Sequence, residues 1–307
     1  MIAAGLLAAA IAFRGGVNLP TMGATYVVDG RRDWNASYRR YFSPAVMDDI
    51  ARNLHAGFVR TGWIPNWERR ERVDWSHEDQ VMDSICAPRK PYRLGVVVIV
   101  PGPKDDALGE SDLLANVGEF FGRYTAREPG CAIEAEIANE ANLSVNGFGG
   151  VEAYAAYYET VAPIVASYGV AVITSGSSGE DLHWFATLRA LFARAVPAPP
   201  LLGYGFHPYD VGSARMGAAV EAVAAAAGVP ASRIYVTEIG DARPRELEAI
   251  LDALARAGVA MISVYQYAAQ PNEPTANLAL RENPALYRAV AEVFARVNGP
   301  VGTRSPP

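Results

Sequence analysis

The sequence predicts an α/β protein built as a single (β/α)8 TIM barrel, on the basis of three observations. Eight short apolar runs alternate along the 307 residues with eight amphipathic stretches of helical spacing. The apolar runs are mostly continuous, as in Gly95–Val100, whereas a strand with one face in solvent would alternate apolar and polar residues. No break in composition divides the chain, so we expect residues 1–307 to form one catalytic domain.

Each element follows from periodicity and from its boundary residues. The predicted strands are Phe13–Asn18, Gly57–Thr61, Arg93–Val100, Ile133–Ala138, Val170–Thr174, Leu202–Phe206, Arg233–Glu238 and Met261–Tyr265. The predicted helices are Pro44–His55, Glu78–Cys86, Asp112–Arg127, Val151–Tyr168, Asp181–Ala195, Ala214–Ala227, Pro244–Ala257 and Pro284–Val297. Ser43 followed by Pro44 is typical of a helix start, and Gly57, Gly169 and Gly258 stand where helices should end. A doubly wound open sheet is the alternative, but no Gly-rich fingerprint follows the first strand.

The composition permits a large buried core and disfavours one class of partner. Half of the residues are apolar, and the formal net charge at pH 7 is −6. The sequence has no long run of Lys and Arg that would neutralise phosphates, so nucleic acid is not expected as a partner.

The chain has two cysteines, Cys86 and Cys131, which lie outside any CxxC pattern and cannot form a zinc site alone. They are either buried thiols or one disulfide. Because each borders an apolar segment, the sequence favours buried thiols.

Residues 1–12 are apolar but too few to span a bilayer as a helix. Two interpretations of this segment stay open. It is similar to the apolar core of a signal peptide, although no Lys or Arg precedes it, and this interpretation favours a secreted or periplasmic protein. Alternatively, it packs as a small helix or strand that closes the bottom of the barrel, which is compatible with a cytoplasmic protein.

Polar residues are concentrated at the carboxyl-terminal ends of the predicted strands, where barrels of this kind hold their active sites. They end or follow seven of the eight strands: Asn18, Arg60, Asn139, Glu140, Ser175, His207, Tyr209, Glu238 and Gln266. Structural polar residues alone would not prefer one end. The sequence therefore predicts a polar pocket there.

Glu140 and Glu238 provide the pair of carboxyl groups that cleavage of a glycosidic bond requires. One carboxyl must donate a proton to the departing sugar oxygen, while the other, ionised, attacks or stabilises the anomeric carbon. Retention of configuration needs about 5 to 5.5 Å between the two groups and inversion about 6.5 to 9.5 Å, and we predict the shorter distance. Glu136 lies on the same strand face as Glu140, one layer deeper, and is expected to support the pair.

Four motifs resemble those of the retaining glycoside hydrolases of clan A, which are built on this barrel. Arg14–Pro20 (RGGVNLP) is similar to the first-strand motif of glycoside hydrolase family 5. Glu136–Asn142 (EIANEAN) resembles the fourth-strand Asn-Glu motif, in a form closer to family 39. Gly205–Asp210 (GFHPYD) resembles the sixth-strand His-x-Tyr motif, and Val236–Gly240 (VTEIG) the seventh-strand nucleophile. Their joint order is more specific than any single motif.

The resemblance implies that Glu140 is the general acid/base and Glu238 the nucleophile. Asn139 would bind the sugar hydroxyl beside the reaction centre, and Arg60 would hydrogen-bond the nucleophile and keep it ionised. A guanidinium has donors enough for Arg60 to pair with Glu136 as well. The remaining polar groups would line or support the site: His207, Tyr209, Asn18 and Gln266.

Aromatic residues at the same end are candidates for sugar platforms. The clan usually places a Trp after the eighth strand, and here the run is SVYQYAAQ, so Tyr265 or Tyr267 is expected to take that place. Trp63 and Trp184 follow the second and fifth strands, where each either stacks on a sugar or anchors its loop.

The sequence thus predicts an enzyme: a retaining glycoside hydrolase that cleaves a β-linked oligosaccharide or polysaccharide and uses no metal or organic cofactor. A transglycosylase with the same glutamates and a glycan-binding barrel without turnover are the alternatives. A further alternative is a divalent ion with four ligands: Glu136, Glu140, His207 and Glu238. Arg60 and Asn139 are not the neighbours that such an ion needs. The sugar, the linkage and the oligomeric state stay open.

Overall fold

The computed structural model describes residues 14–22, 27–28, 31–63, 74–86, 92, 94–102, 110–270 and 275–299. The segment 1–12, for which two interpretations were open, lies outside the described residues. Among the described residues, no helix is both long and apolar enough to cross a bilayer.

The described strands form one parallel barrel sheet and one small antiparallel hairpin. They are β1 (Gly15–Asn18), β2 (Val27–Val28), β3 (Arg31–Arg32), β4 (Phe58–Gly62), β5 (Gly95–Val100), β6 (Ile133–Ile137), β7 (Ala171–Thr174), β8 (Ser177–Ser178), β9 (Tyr204–His207), β10 (Ile234–Ile239) and β11 (Met261–Val264). Within the described part of the chain, the nine barrel strands follow the order β7-β6-β5-β4-β1-β11-β10-β9-β8. The strands β2 and β3 pair only with each other.

Backbone hydrogen bonds close the barrel between β7 and the residues that lead into β9. The amide of Leu202 donates to the carbonyl of Val172 at 2.7 Å, and the amide of Thr174 donates to the carbonyl of Gly203 at 3.1 Å. The predicted (β/α)8 barrel is thereby confirmed, with the eight predicted strands at β1, β4, β5, β6, β7, β9, β10 and β11.

Helices alternate with the strands and cover the outside of the barrel. The described helices are α1 (Trp34–Tyr41), α2 (Pro44–Asp48), α3 (Ser76–Cys86), α4 (Glu110–Arg127), α5 (Val151–Ala166), α6 (Leu182–Phe192), α7 (Ser213–Ala227), α8 (Pro244–Ala257) and α9 (Pro284–Asn298). Two features differ from the prediction. The expected helix Pro44–His55 changes to a π-helical turn at Asp49–Asn53, and α1 was not predicted, although Asp33 caps it by accepting from the amide of Ala36 at 2.8 Å.

The barrel interior has an apolar floor and a polar upper layer. The floor is a separate cluster of buried side chains from five strands: Phe58, Val97, Ile173, Tyr235 and Met261. Because side chains on one strand face recur every second residue, the next interior position carries Arg60 on β4, Thr237 on β10 and Ser263 on β11. Hydrophobic burial thus stabilises the floor, and the layer above it can hold polar functional side chains.

Asn298, at the end of α9, joins the amino-terminal end of β1 to the rest of the fold. Its Oδ1 accepts from the backbone amides of Arg14 and Gly15, each at 2.9 Å. Its Nδ2 donates to the carbonyls of Gly15 at 3.0 Å and His55 at 2.7 Å. Every hydrogen-bonding direction of the buried amide is used, so the last helix is fixed against the first strand.

The two cysteines form a disulfide, so the expectation of buried thiols is wrong. Cys86 ends α3 and Cys131 precedes β6, and their Cα atoms lie 5.2 Å apart. The barrel brings together two positions that are 45 residues apart in the sequence. Apolar neighbours are equally compatible with a thiol and with a disulfide, and so the local sequence could not decide between them.

We expect reduction of this disulfide to lower the free energy of unfolding by about 4 kcal/mol, because it releases the 45-residue loop in the unfolded chain. Urea unfolding with and without dithiothreitol measures the change. A Cys86→Ala/Cys131→Ala variant is the control, since its unfolding midpoint should not respond to reductant. A wild-type midpoint equally insensitive to reductant would contradict the expectation.

Candidate active site

Glu140 and Glu238 face the same pocket at the carboxyl-terminal end of the barrel. Glu140 follows β6, Glu238 lies in β10, and their side chains are 20 % and 12 % exposed. A carboxylate oxygen of each glutamate and a ring nitrogen of His207 all lie within 4.8 Å of one another. The two carboxyl groups are therefore close enough to act on one substrate bond.

Arg60, buried on β4, organises the floor of this pocket through all five of its N–H donors. Its Nε and Nη2 donate to Oε2 and Oε1 of Glu136 at 2.6 and 3.0 Å. Its Nη1 donates to Oε1 of Glu238 at 2.5 Å and to Oδ1 of Asn18 at 2.7 Å. The fifth bond runs from Nη2 to Oδ1 of Asn139 at 2.8 Å. The guanidinium of Arg60 thus hydrogen-bonds the carboxylates of both Glu136 and Glu238.

Asn18 and Glu136 brace the guanidinium from below. The Nδ2 of Asn18 donates to the carbonyl of Thr237 and to Oγ of Ser263, each at 3.0 Å. Glu136 is fully buried, and besides Arg60 it accepts from the backbone amide of Gly176 at 2.8 Å. Fully satisfied buried networks of this kind hold their members in one geometry.

Glu238 is held in its ionised form. Burial on its own would raise the pKa of this carboxyl, but the charge of Arg60 and the hydrogen bonds from Arg60 and Tyr209 lower the pKa below its ordinary value. Tyr209 donates its hydroxyl to Oε2 of Glu238 at 3.0 Å. Burial, followed by the charge of Glu238, raises the pKa of Tyr209 well above the ordinary value of a tyrosine, so it acts there as a donor.

His207 lies between the two glutamates and is fully buried. Its Nδ1 is 3.1 Å from Oε1 of Glu140 and 3.9 Å from Oε2 of Glu238. Its Nε2 is 2.9 Å from Oγ1 of Thr237. The ring is thus bonded at both nitrogens and joins the Glu140 carboxyl to the interior of the barrel.

The backbone that carries Glu140 is in an unfavourable conformation. Ala138 and Glu140 have φ angles of 64° and 44°, a left-handed region that costs a non-glycine residue about 1 to 2 kcal/mol. Two side chains hold the segment: Oγ of Ser175 accepts from the amide of Ala141 at 3.0 Å, and Nδ2 of Asn146 donates to the carbonyl of Glu140 at 2.9 Å. Such strain is characteristic of functional sites, where the surrounding structure imposes it.

Comparisons with known proteins bear on the fold. The sequence matches no protein-family model and no curated protein. Solved structures match it over most of its length: a broad-specificity endoglucanase of glycoside hydrolase family 5, subfamily 4, from Clostridium longisporum has a TM-score of 0.62 and 11 % identity, covering 92 % of this chain and 96 % of that chain. The chain therefore has the same barrel fold as this endoglucanase.

Two further solved structures with the same fold extend the comparison. An exo-β-1,4-mannosidase from Opitutaceae bacterium strain TAV5 has a TM-score of 0.66 and 13 % identity, covering 99 % of this chain and 64 % of that chain. A family 128 endo-β-1,3-glucanase from Sorangium cellulosum has a TM-score of 0.51 and 16 % identity, covering 91 % and 98 %. At these identities the likeness concerns the fold, and the chemistry has to be argued from the site.

Three aromatic residues expected at the clan A sugar site lie in the core instead. Trp63 is 2 % exposed and stacks on Phe120 of α4 at a ring distance of 4.9 Å, which is too buried for a sugar. Trp184 is 6 % exposed and packs against Tyr154 of α5 at 5.4 Å. Both rings therefore anchor their segments.

Tyr267 is likewise buried, and its hydroxyl donates to Oδ2 of Asp49 at 2.6 Å, away from the glutamates. Of the two tyrosines proposed as a platform, Tyr265 is the half-buried one, and it is close enough to Tyr209 to influence its pKa. Gln266 is buried and joined to Tyr265 by a cis peptide bond. The remaining expected residues meet at the pocket: Asn18, Arg60, Glu136, Asn139, Glu140, His207, Tyr209 and Glu238.

Thr237 is a site residue that the sequence did not reveal. A regular strand would direct Thr237 and Glu238 to opposite faces. The pairing of β10 with β11 shifts its register between Val236 and Ile239, and this irregularity allows both side chains to face the pocket. The sequence signals were its position directly before Glu238 and its place two residues after the interior Tyr235.

A divalent ion is disfavoured by the charges already present. Glu140, His207 and Glu238 are the described residues whose donor atoms lie closely enough to hold a metal ion. Arg60, however, already neutralises Glu238 and occupies both oxygens of Glu136, the fourth proposed ligand. A cation would therefore compete with a guanidinium that this structure holds at five points.

Proposed function

We propose that this protein is a retaining glycoside hydrolase that cleaves β-linked oligosaccharides or polysaccharides, with Glu238 as the nucleophile and Glu140 as the general acid/base. The observation that carries the proposal is the pairing of an ionised Glu238 with Glu140. One carboxylate oxygen of Glu238 lies within 4.8 Å of one carboxylate oxygen of Glu140. This upper limit between one oxygen of each group favours the roughly 5 to 5.5 Å spacing of retaining enzymes over the roughly 6.5 to 9.5 Å spacing of inverting ones.

In the first step, a carboxylate oxygen of Glu238 attacks the anomeric carbon and forms a glycosyl ester as the glycosidic bond breaks. Glu140 donates its proton to the departing sugar oxygen. Arg60 and Tyr209, which hold the two oxygens of Glu238, keep the nucleophile oriented toward the pocket.

In the second step, Glu140, now a carboxylate, takes a proton from a water molecule while the oxygen of that water attacks the anomeric carbon. The ester bond breaks and Glu238 recovers its negative charge. Glu140 ends the cycle with the proton it began with, so no cofactor is needed for the balance.

Asn139 is proposed to bind the sugar hydroxyl beside the reaction centre. Its Oδ1 accepts from Arg60, so the amide Nδ2 is the end that can donate to a substrate oxygen. The structures with the same fold include an endoglucanase, an exo-β-1,4-mannosidase and an endo-β-1,3-glucanase, which supports a β-linked substrate.

A panel of dinitrophenyl 2-deoxy-2-fluoro-β-glycosides tests the proposal, because fluorine slows the second step and lets the glycosyl ester accumulate. We expect one glycosyl group per chain, located on Glu238 by peptide mass spectrometry, and a β-anomer as the first product by NMR. An α-anomer, or a label on another carboxylate, would refute the assignment. Products formed at high acceptor concentration separate hydrolysis from transglycosylation.

A further inference from the structure

A hydrogen-bonded chain runs from the buried Glu136 to the proposed acid Glu140. Oγ1 of Thr237 lies 3.1 Å from Oε1 of Glu136 and 2.9 Å from Nε2 of His207. The opposite ring nitrogen, Nδ1, lies 3.1 Å from Oε1 of Glu140. The inference drawn from this chain rests on the proposed function, because it concerns how the proton of Glu140 is held.

The direction of the first bond follows from the partners of Glu136. Both of its oxygens accept from the guanidinium of Arg60, and Oε1 also accepts from the backbone amide of Gly176. A carboxyl surrounded by obligate donors is a carboxylate and has no hydrogen to give. Thr237 must therefore donate its single hydroxyl hydrogen to Glu136.

The direction of the second bond follows from the first. Because the hydroxyl hydrogen of Thr237 is used, its contact with His207 can be a hydrogen bond only if Nε2 carries a hydrogen and donates it. If Glu140 holds the proton that the proposed function requires, the imidazole is neutral and carries one hydrogen, on Nε2, so Nδ1 presents its lone pair to Glu140. The short contact at Nδ1 requires the carboxyl group of Glu140 to donate.

We propose that Thr237 is a positioning residue that fixes His207 in the Nε2–H tautomer, so that Nδ1 accepts the acidic hydrogen of Glu140 in the resting enzyme. In the opposite tautomer, an Nδ1–H would donate to the Glu140 carboxylate and stabilise it in the form that cannot protonate the leaving group. The correct tautomer also withholds a hydrogen from Glu140 after the first step, which leaves its carboxylate free to take a proton from water.

The groups that surround His207 keep its ring in this orientation. The charged groups that face it are Glu136, at 3.9 Å from Nε2, with Glu140 and Glu238 at Nδ1. Tyr209 meets the ring edge-on at 6.3 Å. On the side of Gly176, even an added Cβ would lie 2.0 Å from Nε2, so the backbone packs directly against the imidazole.

The tautomer is measured directly by 15N NMR of protein labelled at its four histidines, without substrate. The signals of His207 are assigned by their loss in a His207→Gln variant. We expect a protonated Nε2 and an unprotonated Nδ1 in the wild-type protein at neutral pH. A hydrogen on Nδ1, in a neutral or in a doubly protonated ring, would overturn the proposal, and this result does not depend on any catalytic activity.

Thr237→Val removes the hydroxyl and keeps the shape of the side chain. We expect His207 to lose its preference for Nε2–H and kcat/KM to fall about 10- to 100-fold for substrates whose leaving group needs protonation. Dinitrophenyl glycosides, which need no acid, should be hydrolysed within about threefold of the wild-type rate. The basic limb of the pH profile should move to lower pH, since Glu140 gives up its proton more readily.

Two variants separate this role from a general loss of packing. Thr237→Ser retains the hydroxyl and should restore the tautomer and the pH profile. Thr174→Val is the matched control. The buried hydroxyl of Thr174 on β7 accepts from the amide of Gly205 at 3.0 Å and is not part of the hydrogen-bonded chain from Glu136 to Glu140. An unchanged tautomer and pH profile in Thr237→Val would refute the role of Thr237. Inactivity of a wild-type protein with the expected tautomer would instead refute the proposed function.

Discussion

Replacing Glu238 by Ala is expected to lower kcat/KM by roughly ten-thousand- to million-fold, the size of effect seen when an attacking group is removed from other enzymes. Neither of the other two glutamates described at the pocket can take its place, because Glu136 is fully buried beneath Arg60 and Glu140 must carry the proton for the leaving group. Initial rates on a dinitrophenyl glycoside measure the loss.

Azide should restore turnover of this variant, because the anion can occupy the space left by the carboxylate. The expected product is a glycosyl azide of inverted configuration, identified by NMR, since one displacement replaces two. Glu221→Ala, which changes an exposed glutamate on α7, is the control and should retain full activity. Wild-type activity in the Glu238→Ala variant would contradict the assignment of the nucleophile.

Replacing Arg60 by Lys is expected to cost both stability and activity. A lysine keeps the positive charge but replaces five fixed donors by three on a flexible stem. The four residues that Arg60 bonds therefore cannot all remain bonded: Asn18, Glu136, Asn139 and Glu238. Breaking a buried ion pair typically costs about 3 to 5 kcal/mol, and the free energy of unfolding in urea measures it. We expect kcat/KM to fall about a thousandfold, because the nucleophile is no longer fixed.

The pH profile of the Arg60→Lys variant gives a second and independent readout. Arg60 helps to lower the pKa of Glu238, so weakening its hydrogen bonds should raise that pKa. The nucleophile must be ionised, and the acidic limb of kcat/KM should therefore move to higher pH. Arg215→Lys, in an exposed pair with Glu180, is the matched control and should change stability by less than about 0.5 kcal/mol. An unshifted acidic limb would contradict the role of Arg60.

The strand-end residues of the site could be predicted from the sequence because the barrel fold determines where the end of each strand lies. Once eight strands are recognised, residues at their carboxyl-terminal ends must converge, and a two-residue period places Glu136 beneath Glu140. That reasoning brought Arg60 and Asn18 to the same pocket without any tertiary information. It did not identify Thr237, which the two-residue period places inside the barrel, since no motif marks this threonine as part of the site.

The aromatic residues and the cysteines could not be placed because their environment depends on distant segments. Trp63 directly follows β4, and whether it faces a sugar or the core is decided by Phe120, which belongs to the distant helix α4. Cys86 and Cys131 are joined only because the barrel brings α3 next to the start of β6. Disulfides persist in oxidising compartments, so this bond favours a secreted or periplasmic location over a cytoplasmic one.

At Glu140, whose backbone is left-handed, stability and catalysis favour different residues. Glycine is the residue that adopts this conformation without strain, yet it has no carboxyl group. Laboratory selection for heat resistance alone would thus tend to replace the proposed acid and produce a sturdier barrel that binds glycans without cutting them. A glutamate kept in so unfavourable a conformation is what selection for turnover would retain.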